Sequence, residues 1–410
     1  MAGPHREPES PRGPPHDDAV SFILDLGRAL QQYGTPAHQV EATLTALCKK
    51  VGRHGEFFST PTSLMAMIER QPGAESIAHL VRVDVGAVQL DKLSLVDEIA
   101  ERVVSGTLTL ADAGRQIKEV DAAPSPYGAL LRLPAYGLAS AAVALSFGGG
   151  WLEMAAGGAV GVLVGIVSSL LGRHVRHVFE FFASFVASAA AIAAAHWVGA
   201  KPAITTLAGL ITLVPGFSLT IGVSELARRE LVSGTARLMW ALTVLLEMGI
   251  GAMLARQLLP ASPVLSVHEG VPSWVSELAL IGPVFAFVVL FQVPRNAIAT
   301  VAVVCAVGFY GARLGAKLTN PMIGPWLGAF CIGIACSFYA RAFNRPATIP
   351  LVPAVVLLVP GATSLNGLTA IMDAQMDIGI QNVAGGFVIA ASIVVGLLTS
   401  NVIAPPRRIL

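Results

Sequence analysis

Two rhythms of apolar residues divide this chain. Over residues 19–53 they recur every three or four positions, the spacing of amphipathic helices. Phe22, Leu26 and Leu30 share one face of a helix predicted from Ala19 to Tyr33; Val40, Leu44 and Leu47 do so from Ala37 to Val51. Gly34 stops the first helix and Thr35-Pro36 starts the second. Strands are expected at Glu56–Ser59 and His79–Val85, with Ser63–Glu69 a candidate third, then helices over 91–104 and 109–119. Beyond the Pro-containing segment Ala122–Tyr127 the amphipathic pattern gives way to long apolar runs.

A helix needs about 20 apolar residues to cross a bilayer core. Ten runs are candidates: 129–147, 151–171, 178–198, 203–222, 235–257, 274–291, 296–312, 322–340, 347–367 and 380–403. Many are rich in Ala and Gly, as in Ala187–Ala195, which suits close helix packing in lipid. The expected organisation is a tail (1–18), a cytosolic α+β domain (19–121), a linker (122–128), a five-helix half (129–258), an extracytoplasmic linker (259–273) and a second five-helix half (274–405).

The halves carry one phrase in common. Leu213-Val214-Pro215-Gly216 and Leu358-Val359-Pro360-Gly361 lie 145 residues apart, and the same offset sets Gly222, Gly234 and Gly251 on Gly367, Gly379 and Gly396. Pro lacks an N–H and clashes with the preceding turn, so each Pro-Gly pair breaks its helix. Broken helices at matching places in two membrane halves point to a transporter's binding site. Five helices per half is odd, so the second copy enters from the opposite side: ten transmembrane helices as two inverted five-helix repeats. Loop charge follows suit. Glu225-Leu226-Ala227-Arg228-Arg229-Glu230 corresponds to Ala370–Gln375, which holds no basic residue.

Composition agrees. The chain is 54% hydrophobic and 13% charged, against about a quarter charged for soluble proteins. Residues 1–128 hold 12 Lys/Arg and 17 Asp/Glu; the other 282 hold 15 and 9. With both termini cytosolic, 11 basic residues beyond 128 fall inside: Arg132, Arg173, Arg176, Arg228, Arg229, Arg237, Arg295, Arg341, Arg345, Arg407 and Arg408. Four fall outside: Lys201, Arg256, Arg313 and Lys317. That is the positive-inside bias. The Pro-rich, charged start has no signal-peptide pattern and reads as a disordered tail. The net charge of +1 hides the uneven division of charge and argues nothing about nucleic acid, and no nucleic-acid partner is expected. Cys48, Cys305, Cys331 and Cys336 lack CxxC spacing and nearby His, so they read as packing residues, with no cofactor or metal site implied.

Backbone freed at a break must face protein, water or ligand. The candidate substrate set is therefore Pro215, Gly216, Ser218 and Thr220, with Thr212 nearby, and Pro360, Gly361, Thr363, Ser364 and Asn366. A kink serving packing alone is the competing reading. Glu247, near the middle of its span, is the candidate proton carrier, because a mid-bilayer carboxylate is costly and usually functional; a structural hydrogen bond is its alternative. Glu180 sits near the cytosolic border, and His196 and Trp197 near the outer interface. In the soluble segment, His38 and Glu41 lie i,i+3 on a helix, which suits an exposed polar face better than acid/base chemistry. Thr60-Pro61-Thr62 reads as a turn between strands before it reads as a nucleophile.

Gly27–Val51 followed by Phe57–Thr62 ("GRALQQYGTPAHQVEATLTALCKKV…FFSTPT") resembles the opening of the threonine/serine exporter family. So do "VQLDKLSLVDEIAERVVSGTLTLADA", the Phe147–Trp151 turn, and LVPG followed by "SGTARL". The resemblance runs from about 20 to 405 in the family's order of domain, half and half. It implies proton-motive-force-driven export of threonine and serine across a bacterial inner membrane, with protons and the bilayer as partners and a homo-oligomer left open. The chain departs from the family pattern at Ile221, where Asn is expected, while Asn366 holds that register in the second half; Glu225 and Glu230 replace expected aspartates. Export of a C4-dicarboxylate such as succinate, known among split relatives, is the alternative. A membrane-anchored enzyme or sensor using residues 20–120 is the third reading.

Overall fold

A computed structural model describes residues 17–69, 75–84, 86–171, 177–259, 271–272, 275, 281–359, 361–372 and 375–405. The expectations resting on the tail, Arg173, Arg176, Pro360, Asp373, Arg407, Arg408 and most of 260–280 lie outside the described residues.

The N-terminal segment runs α1 (Asp18–Gln32), α2 (Ala37–Lys50), β1 (Gly55–Thr60), β2 (Ser63–Glu69), β3 (Ser76–Arg82), α3 (Leu90–Val104) and α4 (Leu110–Ala122). Asp17 caps α1 by accepting from the Ala19 and Val20 N–H groups. Gly34, at φ +104°, supplies the left-handed turn that re-aims the chain into α2. The strands pair antiparallel in the order β1-β2-β3. Leu64, Ala66 and Ile68 of β2 face inward onto Phe22, Leu26, Leu30, Val40, Leu44 and Leu47, the six residues that the helical periodicity singled out, and all are buried.

Beyond Tyr127 the described chain is helical: α5 (Ala129–Ser146), α6 (Trp151–Leu171), α7 (Phe179–Val198), α8 (Pro202–Leu210), α9 (Gly216–Ala227), α10 (Leu231–Leu258), α11 (Ile281–Leu290), α12 (Ile298–Leu318), α13 (Pro325–Phe343), α14 (Thr348–Leu358), α15 (Gly361–Met372) and α16 (Met376–Ile403). Among the described residues seven stretches, not ten, are long and apolar enough to cross a membrane: α6, α7, α10, α12, α13, α14 with α15, and α16. The run 203–222 is not one helix, because Pro215 divides it. The 12 residues of α9 extend only about 18 Å against a core of about 30 Å. Leu130–Ser146 and Ile281–Leu290 are apolar but short.

The 145-residue offset recurs in the architecture. Gly216–Ala227 maps onto Gly361–Met372, and Leu231–Leu258 onto Met376–Ile403. Equivalent pairs pack: α6 on α8 and α12 on α14, α7 on α10 and α13 on α16, α9 on α10 and α15 on α16. The halves also exchange contacts, α9 with α16 and α15 with α10. The registered glycines mark the close approaches. A Cβ on Gly251 would stand 2.3 Å from the Phe181 carbonyl, and one on Gly396 2.4 Å from the carbonyl of Trp326, its equivalent.

The N-terminal domain sits on one end of this bundle. The Leu90 and Asp91 N–H groups donate to the Phe291 and Gln292 carbonyls, at 3.0 and 2.9 Å. Tyr127 Oη donates to the Val293 carbonyl at 2.7 Å. Asn344 donates to Glu101.

Candidate functional site

The two breaks meet. A Cβ on Gly216 would lie 2.3 Å from Val359 Cγ1 and 3.1 Å from Gly361 Cα, and one on Gly361 would lie 2.8 Å from Val214 Cγ1. Only glycine lets the chains approach so closely. Pro215 N-caps α9 with no side-chain bond. In the turn ahead of it, Thr212 Oγ1 is buried without a partner.

From this crossing α9 runs to a charged cluster at the domain boundary. Glu225 is fully buried. Arg237 Nε donates to both its oxygens, at 3.1 and 3.0 Å, and Ser233 Oγ to Oε2 at 2.8 Å. The fourth bond comes from the Ala37 N–H, 3.3 Å from Oε1. Pro36, the N-cap of α2, offers no side-chain acceptor, so Glu225 caps that helix from 188 residues away. The segment Ser233–Leu238, read in the sequence as "SGTARL", thus supplies three of the four bonds, and "GTPAHQ" (Gly34–Gln39) supplies the other.

Two cavities flank this contact. The larger, about 1190 Å³, opens between the domain and the bundle. Its walls carry five carboxylates (Glu41, Glu56, Asp97, Glu101, Glu230) against three cations (Lys49, Lys50, Arg345). The smaller, about 130 Å³, lies deeper, among α9, α13, α14, α16 and the Gly34–Gln39 corner. His38, Gln39, Ala347 and Thr348 line both and form the neck between them. Thr220 lines the inner cavity, but its hydroxyl is committed to the Gly216 carbonyl. Phe217, one turn earlier, also lines it, which brings the cavity up to the first break.

His38 and Glu41 therefore do not form an exposed polar face; both are partly buried and line the vestibule. Burial pushes His38 down to about 4, helped by the nearby Arg228 charge, so its imidazole is neutral at pH 7. Burial raises Glu41 against the Ser59 N–H that donates to it at 2.6 Å, and Glu230 and Glu225 raise it further. Thr60 Oγ lies 2.8 Å from Ser63 Oγ across the β1–β2 turn.

The remaining predicted residues are placed as follows. Ser218, Thr363, Ser364 and Asn366 line neither cavity; Ser364 is buried, and the other three are partly buried. Glu247 is partly buried on α10, meets no hydrogen-bond donor among the described residues, and has Glu180 within Coulombic reach. Two wholly buried acids escaped the sequence reading. One is Glu225, expected in a loop; the other is Glu153, which accepts from the Gly150 and Lys201 N–H groups. A Gly-x-x-Glu capping pattern before an apolar run was the available signal for Glu153.

Two family models described as threonine/serine exporter match, one over residues 21–259 and the other over 278–403. The chain belongs to the threonine/serine exporter family. Among curated relatives of this exporter-family chain, pheromone-regulated membrane protein 10 of Candida albicans (strain WO-1) is 26% identical over 367 residues, 85% of this chain and 33% of that protein. The protein of the same name from Eremothecium gossypii is 26% identical, covering 83% and 47%. An uncharacterized protein of Schizosaccharomyces pombe is 25% identical, covering 94% and 55%. The chain thus spans between a third and just over half the length of these relatives. No solved structure matches it.

Proposed function

We propose that this chain is a secondary exporter of small hydroxy amino acids, threonine and serine, working through two inverted five-helix repeats with the N-terminal domain on the cytosolic side. The contact between the two Pro-Gly breaks carries this reading, since Gly216 and Gly361 meet where equivalent broken helices of an inverted repeat cross. The orientation is supported by the domain's contacts, which fall on 291–293 and 344–345 and on Glu225 in the last turn of α9, beside segments that the basic-residue bias assigns to its own side.

The vestibule bears on substrate class. Five carboxylates against three Lys/Arg give a negative field that repels a dianion and leaves a zwitterion indifferent, which favours an amino acid over succinate. Glu247 is the proposed proton carrier, being a partly buried carboxylate with no donor to hold it ionised. The deciding experiment is counterflow of radiolabelled threonine, serine and succinate in proteoliposomes, with and without an imposed pH gradient. Threonine and serine should exchange, and a gradient should drive their accumulation. Movement of succinate alone would overturn the substrate, and movement of none the transport reading.

A further inference from the structure

Polar side chains around a buried space normally spend their hydrogen bonds on protein neighbours. The inner cavity is an exception. The Arg228 side chain, exposed at its rim, makes no hydrogen bond or ion pair among the described residues, and neither Asn401 nor Thr348 has a side-chain bond there. From the domain, His38 Nδ1 is buried without a partner, and the Gln39 amide is likewise unbonded among the described residues. Two neighbouring groups show the contrast: Glu225 is saturated by four bonds, and Ser337 donates to the Ala404 carbonyl at 2.8 Å. The uncommitted groups come from four places far apart in sequence, and all line a cavity of about 130 Å³. At about 30 Å³ of liquid volume per water, that holds a few waters or one ligand of a handful of heavy atoms.

We propose that the inner cavity is the amino-acid binding site and that the N-terminal domain completes it as a lid. Arg228 takes the substrate carboxylate, Asn401 Oδ1 and the Thr348 hydroxyl receive the ammonium and side-chain hydroxyl, and His38 with Gln39 closes the neck. The cation on one side and neutral acceptors on the other match a zwitterion, and the volume excludes large side chains. A carboxylate is best met by an unpaired guanidinium, which offers several donors in a rigid fork. The lid is held by the α2 N-terminus on Glu225, so substrate entering from the vestibule must pass a neck with one wall made by the soluble domain. This site rests on the exporter reading but lies at the domain boundary, outside the set of hydroxyl and amide groups expected beside the second break.

The test uses the full chain reconstituted in liposomes. Arg228→Gln, Asn401→Leu and Thr348→Val should each raise the KM for threonine about tenfold or more, the loss of one good or charge-assisted hydrogen bond. Arg115→Ala, on the exposed face of α4, should leave it unchanged. A second readout needs no substitution: Cys336 lines the same cavity and Cys48 lies in the domain core, so site-resolved alkylation compares them in one sample. Saturating threonine should slow alkylation of Cys336 several-fold and leave Cys48 unaffected. Wild-type KM in all three cavity variants, with Cys336 unprotected, would overturn the site while active counterflow leaves the exporter reading standing. If counterflow fails for threonine and serine, the exporter reading falls, and the cavity is judged by protection of Cys336 with glycine and succinate; protection by neither overturns it too.

Discussion

The two helix crossings that follow Gly216 and Gly361 share their close glycine contacts and differ in their chemistry. Gly222 and Gly234 pack where α9 crosses α10, each held close to the other's carbonyl; Gly367 and Gly379 stand at the matching crossing of α15 and α16. Yet Glu225, Ser233 and Arg237, which bind one another and the Ala37 N–H, map onto Ala370, Ile378 and Asn382. Backbone approach demands glycine in both copies, whereas among the described residues the ionic cluster stands only at the crossing that meets the N-terminal segment. Two similarly packed helix pairs thus differ in that one is docked against the N-terminal segment and the other is not.

The largest effect should come from breaking the docked end. Glu225→Ala leaves Arg237 partly buried and unpaired and removes the cap of α2, a loss of about 3–5 kcal/mol. The expected outcome is release of the domain, seen as protease cleavage near Tyr127 and a lower unfolding temperature. Asn382→Ala, the equivalent change to removing Arg237, should cost less than about 1 kcal/mol, an ordinary substitution away from such a network. Equal losses at the two places would break the comparison.

The shared frame is tested at its tightest points. Gly251→Val and Gly396→Val both push a side chain into a backbone carbonyl, which cannot rotate away. Each should destabilise by about 1–3 kcal/mol or more, and by similar amounts. Thermal unfolding of the purified variants measures this. Tolerance at one glycine and not the other would show that the halves are not equivalent.

How much of this was legible in the sequence follows the range of the forces involved. The amphipathic helices were legible, since Phe22, Leu26 and Leu30 need only local periodicity to share a face, and all three are buried. Thr35-Pro36 likewise marked the start of α2. The run 203–222 reads as one span because apolarity continues through Pro215, while the hydrogen-bond ladder does not. Glu225 reads as a solvated loop charge; its carboxylate is buried where it accepts from the Ala37 N–H, 188 residues earlier in the chain. No local pattern brings His38, Arg228, Thr348 and Asn401 together, so the inner cavity was invisible before folding.

A subtler contrast concerns the acid of α10. Glu247 maps onto Ser392, whose hydroxyl donates to the Met322 and Val388 carbonyls. If only the first half carries protons, Glu247→Gln should keep threonine exchange but lose accumulation driven by a pH gradient, while Ser392→Ala should keep both. Both fluxes are measured in the same vesicles. Full gradient-driven accumulation in Glu247→Gln would move the proton to another residue.

The smallest effect should be the pH dependence of docking. His38 is held near 4 against an ordinary 6.5, by burial and then by Arg228. Between those values the released, solvated imidazole binds a proton that the docked one refuses, so docking weakens as pH falls from about 6.5 to 4. Glu41 acts with the opposite sign. Its raised value means the docked carboxyl keeps a proton above 4.5 that the released form has lost, and docking weakens there as pH rises. The two slopes partly cancel in the wild type and separate in single variants. His38→Gln should flatten the acid limb by on the order of 1 kcal/mol, and Glu41→Gln should leave that limb steeper because its counterweight is gone. Protease release of the domain, followed from pH 4 to 7, reads both. An acid limb unchanged in His38→Gln would mean that the imidazole stays solvated in the docked state and is not the lid of the neck.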